Sequence, residues 1–548
     1  MMDYPLGLGS ILYRAKNIAS KKEVVSRDFS GIFRYTYGDM YVRVCQLANV
    51  LKRMCIRPGE RVASFAWNTH RHLELYFAVP CYGAVLNTVN IRLFRDHLIH
   101  CVNFAENRIM FIDEDLVPMV EAIQKELTTV EAYIIMTDKP VLPKTTLAPA
   151  YSYEELLKGE PGDYQFPLLD EWSAAIMAYT TATTGFPKGV VYSHRGLYLH
   201  SLAILLGEYG INERDVSMPI VPMFHVNAWC RPFCDTLIGA KQVLPGRRPT
   251  PQDLCELIHR ERVTFSAAVP TVWMGILEHI LENPGKYDLT CIRYVLSGGA
   301  AMPVKLAQDY EEKLGIKLFQ SYGQTEATPT VLLSFPKSYL EDLPAEDKWR
   351  LRGKTGLLLP GLEMKVVDDK GAEVEHDGTA MGELLLKGPW ILREYYRNPE
   401  KTKEALLDGW YRTGDIVTVD EEGYVQVMDR AKDLIKSGGE WISSVDLEQQ
   451  LMGHPAVAEA AVIGIPHEKW QERPLACVVL KPAFRGKVGK DDLLEYMRGR
   501  VARWWLPDDI LFIAEIPKTS VGKFSKLDLR KMYQTGTLQQ SAEGPHRA

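Results

Sequence analysis

Residues 179–189 read Tyr-Thr-Thr-Ala-Thr-Thr-Gly-Phe-Pro-Lys-Gly and follow the apolar run AAIMAY. Hydroxyls, small residues and a cation after a buried strand offer backbone N–H groups, hydroxyl donors and charge to a polyphosphate. A Thr-rich surface loop has the same composition, and composition alone leaves the two readings even. The segment is not a Walker A loop. The triplet Gly353-Lys354-Thr355 does occur, but Lys348 stands where the upstream glycine is required, which disfavours phosphoryl transfer of the P-loop type.

Two further segments fall after apolar runs: Ser297-Gly298-Gly299-Ala300, and Tyr322-Gly323-Gln324-Thr325-Glu326 after KLFQS. In a doubly wound sheet, ligands lie outside the carboxyl ends of the strands, so both would face one crevice. An aromatic for a purine face, a hydroxyl for phosphate and a carboxylate for Mg²⁺ make a coherent set. Taken alone, a Thr-Glu pair after a strand is more often a helix start with a favourable charge. Asp415, in Tyr411-Arg412-Thr413-Gly414-Asp415, can accept from ribose hydroxyls while Arg430 donates; an isolated pair of this kind is more commonly a surface ion pair of small worth. Lys523, in PKTSVGKF, would ordinarily be solvated.

The elements that must position these residues alternate. RVASFAWN is followed by HLELYFAV, RIMFID by LVPMVEAIQKEL and AYIIM, and the habit continues through KQVLP, PQDLCELIHRER, TFSAAVP, TVWMGILEHIL, IRYVLSGG, PVKLAQDYEEKLG and KLFQSYG. Strand–helix alternation buries a mostly parallel sheet between helices, so the expected class is α/β. From Lys354 to Met428 short strands with turn signals (DDKG, EHDG, DEEG) indicate antiparallel hairpins. The expected division is a large domain over 1–428 with a β-rich subdomain at 354–428, a hinge at 429–434, and a small α+β domain at 435–548 whose end, from Thr535, frays.

With 548 residues, 64 Lys+Arg and 70 Asp+Glu, the net charge is −6, and no basic run suggests a partner bound through nucleic-acid phosphates. The nine cysteines are scattered with no Cys-x-x-Cys pair, which argues against a zinc clamp and for reduced thiols of a cytoplasmic protein. The start lacks the order of a signal peptide, and no apolar run reaches the roughly 18 residues of a spanning segment; peripheral membrane contact stays open.

In this order the motifs YTTATTGFPKG, SYGQTE, WYRTGD, DRAKDLIKSGGEWIS and PKTSVGKF resemble the adenylate-forming superfamily of acyl-CoA synthetases, luciferases and peptide-synthetase adenylation domains, and the resemblance extends over about residues 30–532. VPMFHVNAWC, GAKQVLPG and HEKWQERPLA look most like bacterial and archaeal medium- to long-chain fatty acyl-CoA synthetases. One departure is Ala182 where the phosphate loop usually carries its first glycine, a position that Ala fills comfortably only at negative φ.

The resemblance implies ATP, Mg²⁺ and coenzyme A. A carboxylate attacks the α-phosphate of ATP, expelling pyrophosphate, and the thiol of coenzyme A then displaces AMP. It implies that Lys523 bridges carboxylate and α-phosphate, that Glu326 and Thr180 hold Mg²⁺, and that Lys188 steadies pyrophosphate. The loop residues Thr181, Thr183, Thr184 and Gly185 would face phosphates. Gly299, Gln320 and Tyr322 would hold adenine, Ala300, Ser321 and Gly323 would also meet the nucleotide, Thr325 would face the α-phosphate, and Asp415 with Arg430 the ribose. His225, Val226 and Trp229 would line the acyl mouth, with Trp229 either a gate or an ordinary core aromatic. Lys432 would be the hinge, and Lys436, Gly438, Gly439 and Trp441 would meet nucleotide or pantetheine once the small domain turns. The expected activity is ATP-dependent fatty acid–CoA ligation. The alternatives are a ligase for aromatic or other acids, adenylation for another acceptor, an oxidase acting on the acyl-adenylate, and a silent nucleotide binder. The absence of a carrier domain after residue 532 favours free coenzyme A, and the resemblance makes a homodimer plausible.

Overall fold

The computed structural model describes residues 1–180, 186–208, 210–438, 440–518 and 524–538. Two large sheets share the first four hundred residues. In the nine-stranded sheet, Lys317–Gly323, Tyr294–Gly298, Phe265–Ala268, Val216–Pro219, Lys241–Leu244 and Glu23–Asp28 run parallel in that order, flanked by antiparallel edges. The seven-stranded sheet is parallel from Ala150–Ser152 through Ala132–Met136, Asn107–Asp113, Arg61–Phe65 and Val85–Thr88 to Ala174–Tyr179, and closes with antiparallel Gly189–Ser193.

Both faces of these strands are covered, which is why they read as near-continuous apolar runs. Successive residues feed opposite cores. Ile134 and Ile176 pack in one cluster while Ile135 and Met177 pack in another, and Leu296 and Val295 divide in the same way. Helix starts are fixed locally. Thr36 with Asp39, and Thr250 with Asp253, form reciprocal capping boxes.

Residues 354–428 form the expected antiparallel sheet, built from Glu363–Val367, Gly382–Lys387, Trp410–Val419 and Val425–Arg430. The C-terminal part carries its own five-stranded sheet and core. Between the two, Arg430 pairs with Asp415 at 2.7 Å, whereas Asp433 pairs with Arg530 at 2.7 Å. Contacts to the C-terminal part already begin before Arg430, where the Ser444 N–H donates to Asp429 Oδ2 at 2.9 Å and the Ser443 hydroxyl donates to the Met428 carbonyl at 2.6 Å.

Two local expectations need correction. The helix over LVPMVEAIQKEL is only Val117–Glu121 with a single turn on each side. The fraying expected from Thr535 does not begin within the described residues: after helix Lys526–Gln534, Leu538 is fully buried against Ile513 and Ile516, and residues 539–548 lie outside the described residues. In the C-terminal part, helix Lys490–Met497 ends just before Gly499, which takes φ +75°. Among the described residues, no helix is long and apolar enough to cross a membrane.

Candidate active site

A cavity of about 990 Å³ opens at the carboxyl ends of Tyr294–Gly298 and Lys317–Gly323. Its wall brings together Thr180, Lys188, His225, Val226, Trp229, Gly299, Ser321, Gly323, Thr325, Glu326, Arg430 and Lys432. These residues come from five distant stretches of chain, each delivered by a strand end or the turn after it. Gly299 takes φ +81°, a conformation that costs glycine little.

On one side of the cavity, Thr180 and Lys188 are joined by two hydrogen bonds. The Thr180 N–H donates to the Lys188 carbonyl at 2.9 Å, and the Lys188 N–H donates to Thr180 Oγ1 at 3.2 Å. The Lys188 ammonium lies 3.9 Å from the centre of the Tyr395 ring, and the Tyr395 hydroxyl donates to Glu326 Oε1 at 2.7 Å. Burial pulls the Lys188 ammonium below the ordinary lysine value, with Glu326 opposing. Burial also raises the Tyr395 phenol, and Glu326 adds to that shift, so the phenol stays protonated and donates.

Asp415 is nearly fully buried and sits behind the wall. Its carboxylate accepts from the Tyr322 hydroxyl, from Gln324 Nε2 at 2.5 Å and from Arg430 Nε at 2.7 Å. Gln324 is itself oriented, because its carbonyl accepts from the Tyr411 hydroxyl at 2.7 Å. Asp415 raises the Arg430 guanidinium further above its ordinary value and aims it into the cavity.

On the opposite side, Val226, Asn227, Ala228, Trp229 and Cys230 form one left-handed turn, with φ between +40° and +64°. For residues with a Cβ this costs about 1–2 kcal/mol each, so the surroundings must hold it. The stem is fixed by Asn68, whose Oδ1 accepts from the Met223 N–H at 2.7 Å. The far end is fixed by Cys230, whose Sγ lies 3.4 Å from Ser201 Oγ. The turn lays the Trp229 indole on Gly298, so closely that a Cβ there would meet Cη2 at 2.8 Å. Trp229 is both a wall of the cavity and a member of the core.

The remaining expected residues lie elsewhere. Gln320 is buried within its strand, Tyr322 turns its hydroxyl to Asp415, and Ala300 lies beyond the wall. Among the described residues, none after Lys432 lines the cavity. Lys436 instead lies 4.5 Å over the Trp441 ring, and the Gly438 N–H donates to the Trp470 carbonyl at 2.9 Å, on the hairpin of the C-terminal part. Thr181, Ala182, Thr183, Thr184, Gly185, Gly439 and Lys523 lie outside the described residues. The Ser525 N–H donates to the Pro517 carbonyl at 2.7 Å.

Sequence reasoning missed Tyr395, Gln324 and Tyr411. Gln324 and Tyr411 stand inside motifs already singled out, but Tyr395 sits in GPWILREYYRNPEK, where no spacing marks it. Thr180 and Glu326 supply hard oxygen donors suited to Mg²⁺, and among the described residues no cluster of three or more His, Cys, Asp or Glu could cage an ion without the substrate. The donor set therefore fits an ion shared with phosphate oxygens.

A second cavity of about 430 Å³ adjoins the first through Val221, Pro222 and Val269. Its floor is apolar, with Trp67, Phe224, Leu254 and Val272, and Arg92 and Arg248 also line it.

The model of the AMP-binding enzyme family matches residues 14–396, and that of the AMP-binding enzyme C-terminal domain matches 446–523. The chain is similar to a long-chain-fatty-acid–CoA ligase of Thermus thermophilus, with 49% identity over 97% of both chains. It is also similar to a medium-chain-fatty-acid–CoA ligase of Ectopseudomonas oleovorans, with 36% identity over 99% of this chain and 98% of that one. Among solved structures, ATP-bound MatB from Rhodopseudomonas palustris superposes with a TM-score of 0.81 at 25% identity, covering 97% of this chain and 99% of that one.

Proposed function

The chain belongs to the AMP-binding enzyme family, and on that premise we propose that it is an ATP-dependent ligase joining fatty acids, medium- to long-chain, to coenzyme A. One observation carries the reading: a single cavity unites the Lys188–Tyr395–Glu326 cluster on one side with Trp229, seated on Gly298, on the other. The first is suited to a triphosphate, the second to an apolar tail. The relatives named as fatty acid–CoA ligases support it over nearly the whole chain.

Adenylation brings a carboxylate anion toward a triphosphate anion, so positioned cations and donors must carry catalysis. Lys188 meets the departing pyrophosphate, Thr325 the α-phosphate, and Arg430, braced by Asp415, the ribose. Mg²⁺, when bound by Glu326 and Thr180 together with phosphate oxygens, offsets charge on the triphosphate. Lys523, outside the described residues, bridges the carboxylate and the α-phosphate. Trp229 moves off Gly298 to admit the tail, and His225 stands beside the carboxylate. The second cavity receives the pantetheine arm of coenzyme A, its apolar floor taking the methyls and Arg92 a phosphate. The Lys432 hinge turns the C-terminal part between half-reactions, bringing Gly438 and Gly439 to the arm and Lys436 with Trp441 to its nucleotide. Nine free cysteines accord with a reducing, cytoplasmic setting.

The test is pyrophosphate release across straight-chain and aromatic acids, with and without coenzyme A. Release that requires a fatty acid, with acyl-CoA formed only when the thiol is present, is expected. Preference for benzoates, or conversion of ATP to ADP, would remove the assignment.

A further inference from the structure

The two cavities share the wall residues Val221, Pro222 and Val269. Val221 and Pro222 belong to segment 219–223, which leaves the carboxyl end of strand Val216–Pro219 and leads to His225 and the turn bearing Trp229. This segment is the partition between the cavities. Beyond a strand end the ladder no longer satisfies the backbone groups, so other partners must hold them.

Those partners come largely from the other large sheet. Asn68 lies between strand Arg61–Phe65 and helix His70–Tyr82. Its Nδ2 donates to the Pro219 carbonyl at 2.9 Å and to the Val221 carbonyl at 2.8 Å, while its Oδ1 accepts from the Met223 N–H at 2.7 Å. Two donors facing carbonyls and an acceptor facing an N–H form a pattern that a primary amide matches and that neither a carboxylate nor an apolar side chain can. Asn68 is itself held, 4% exposed, with its carbonyl accepting from the Gly246 N–H at 3.0 Å. Tyr76, on the helix that follows, donates its hydroxyl to the Met223 carbonyl. Met223 is thus gripped at both of its backbone groups, and Val221 at both of its own, since its N–H donates to the Ala267 carbonyl at 3.2 Å.

Thioester formation brings a thiol from the second cavity against an acyl-adenylate in the first, and the two meet at this partition. Attack needs reacting atoms within about 3–3.5 Å, and a misplacement of about 1 Å can cost a hundredfold in rate. Adenylation depends instead on the Lys188–Tyr395–Glu326 cluster of the opposite wall. The far end of the turn bearing Trp229 is held separately, by Cys230 against Ser201 and the Leu197 carbonyl.

We propose that Asn68 and Tyr76 are positioning residues for thioester formation, fixing the partition at which the two cavities meet. The proposal rests on the ligase reading and on the second cavity as the seat of the thiol arm.

The experiment measures the two half-reactions separately in the native protein, Asn68→Ala and Tyr76→Phe. The first is pyrophosphate release with decanoic acid, ATP and magnesium; the second is conversion of supplied decanoyl-AMP to thioester at saturating coenzyme A. Asn68→Ala is expected to keep pyrophosphate release within about threefold of native and to slow the thioester step by about a hundredfold. Tyr76→Phe keeps the ring and removes one hydrogen bond, so it is expected to slow the thioester step alone by about tenfold; it carries the test should Asn68→Ala not fold. Loss of stability by itself lowers both steps with the folded fraction, so equal losses overturn the proposal, as does a native thioester rate in a folded variant. A raised KM for coenzyme A with kcat unchanged also overturns it, because Asn68 would then bind the arm rather than position the wall. A native protein that releases pyrophosphate with no fatty acid would instead remove the ligase reading itself, and this role with it.

Discussion

The ammonium of Lys188 lies 3.9 Å over the ring of Tyr395, and the hydroxyl of that same ring is bonded to Glu326. One side chain thus spaces a cation and a carboxylate that would otherwise collapse into an ion pair and leave neither for the substrate. Tyr395→Phe keeps the ring and removes the donor, so pyrophosphate exchange should slow by about tenfold. Tyr395→Ala also frees the lysine and should slow it by roughly tenfold more. Equal rates in the two variants would show that the ring does not hold Lys188.

Arg430 pairs with Asp415 and Asp433 with Arg530, on either side of Lys432, the proposed pivot. Fixing φ there with Lys432→Pro should spare adenylation and damage thioester formation. Lys523→Ala should do the reverse, losing adenylation while still making thioester from supplied acyl-AMP. Assay of each half-reaction separates the two, and equal loss of both steps in Lys523→Ala would contradict its bridging role.

The sheets were legible because their strands are buried on both faces and so read as apolar runs, and the cavity wall bearing Thr180, Lys188, Thr325 and Glu326 was legible because strand-end turns carry rare residue combinations. Tyr395 was not, since it contributes through tertiary position alone. The left-handed turn at Val226–Cys230 was not either: β-branched Val226 and bulky Trp229 both disfavour positive φ, and partners distant in sequence, Asn68 at the stem and Ser201 with Leu197 at Cys230, brace its two ends.

Arg92 lines the second cavity with its guanidinium 5.9 Å from the centre of the Phe224 ring. Arg92→Ala should raise KM for coenzyme A by about tenfold, the worth of a charge-assisted hydrogen bond, and leave acid-dependent pyrophosphate release unchanged. An unaltered KM for coenzyme A would move the thiol arm out of that cavity.

His72 is fully buried between Ser64 and Trp67. Its Nδ1–H donates to the Trp67 carbonyl at 2.9 Å, so Nε2 accepts from Ser64 at 2.9 Å and the ring is neutral. Burial pushes its pKa down to about 4 from 6.5, with the Trp67 carbonyl opposing. Between those values the unfolded chain binds the extra proton, so the stability held above pH 6.5 is lost as pH falls toward 4. The loss is of order 3 kcal/mol. In denaturant titrations the stability gap between native protein and His72→Gln should narrow from neutral pH to pH 5; a constant gap would contradict the neutral buried ring.

The most direct measurement of the whole account is a single-turnover quench with decanoic acid, ATP and magnesium but no thiol, followed by addition of coenzyme A. Enzyme-bound decanoyl-AMP and pyrophosphate are expected to form in equal amounts and then convert to decanoyl-CoA and AMP. Formation of decanoyl-phosphate and ADP, or of thioester with no adenylate detectable before it, would contradict the account.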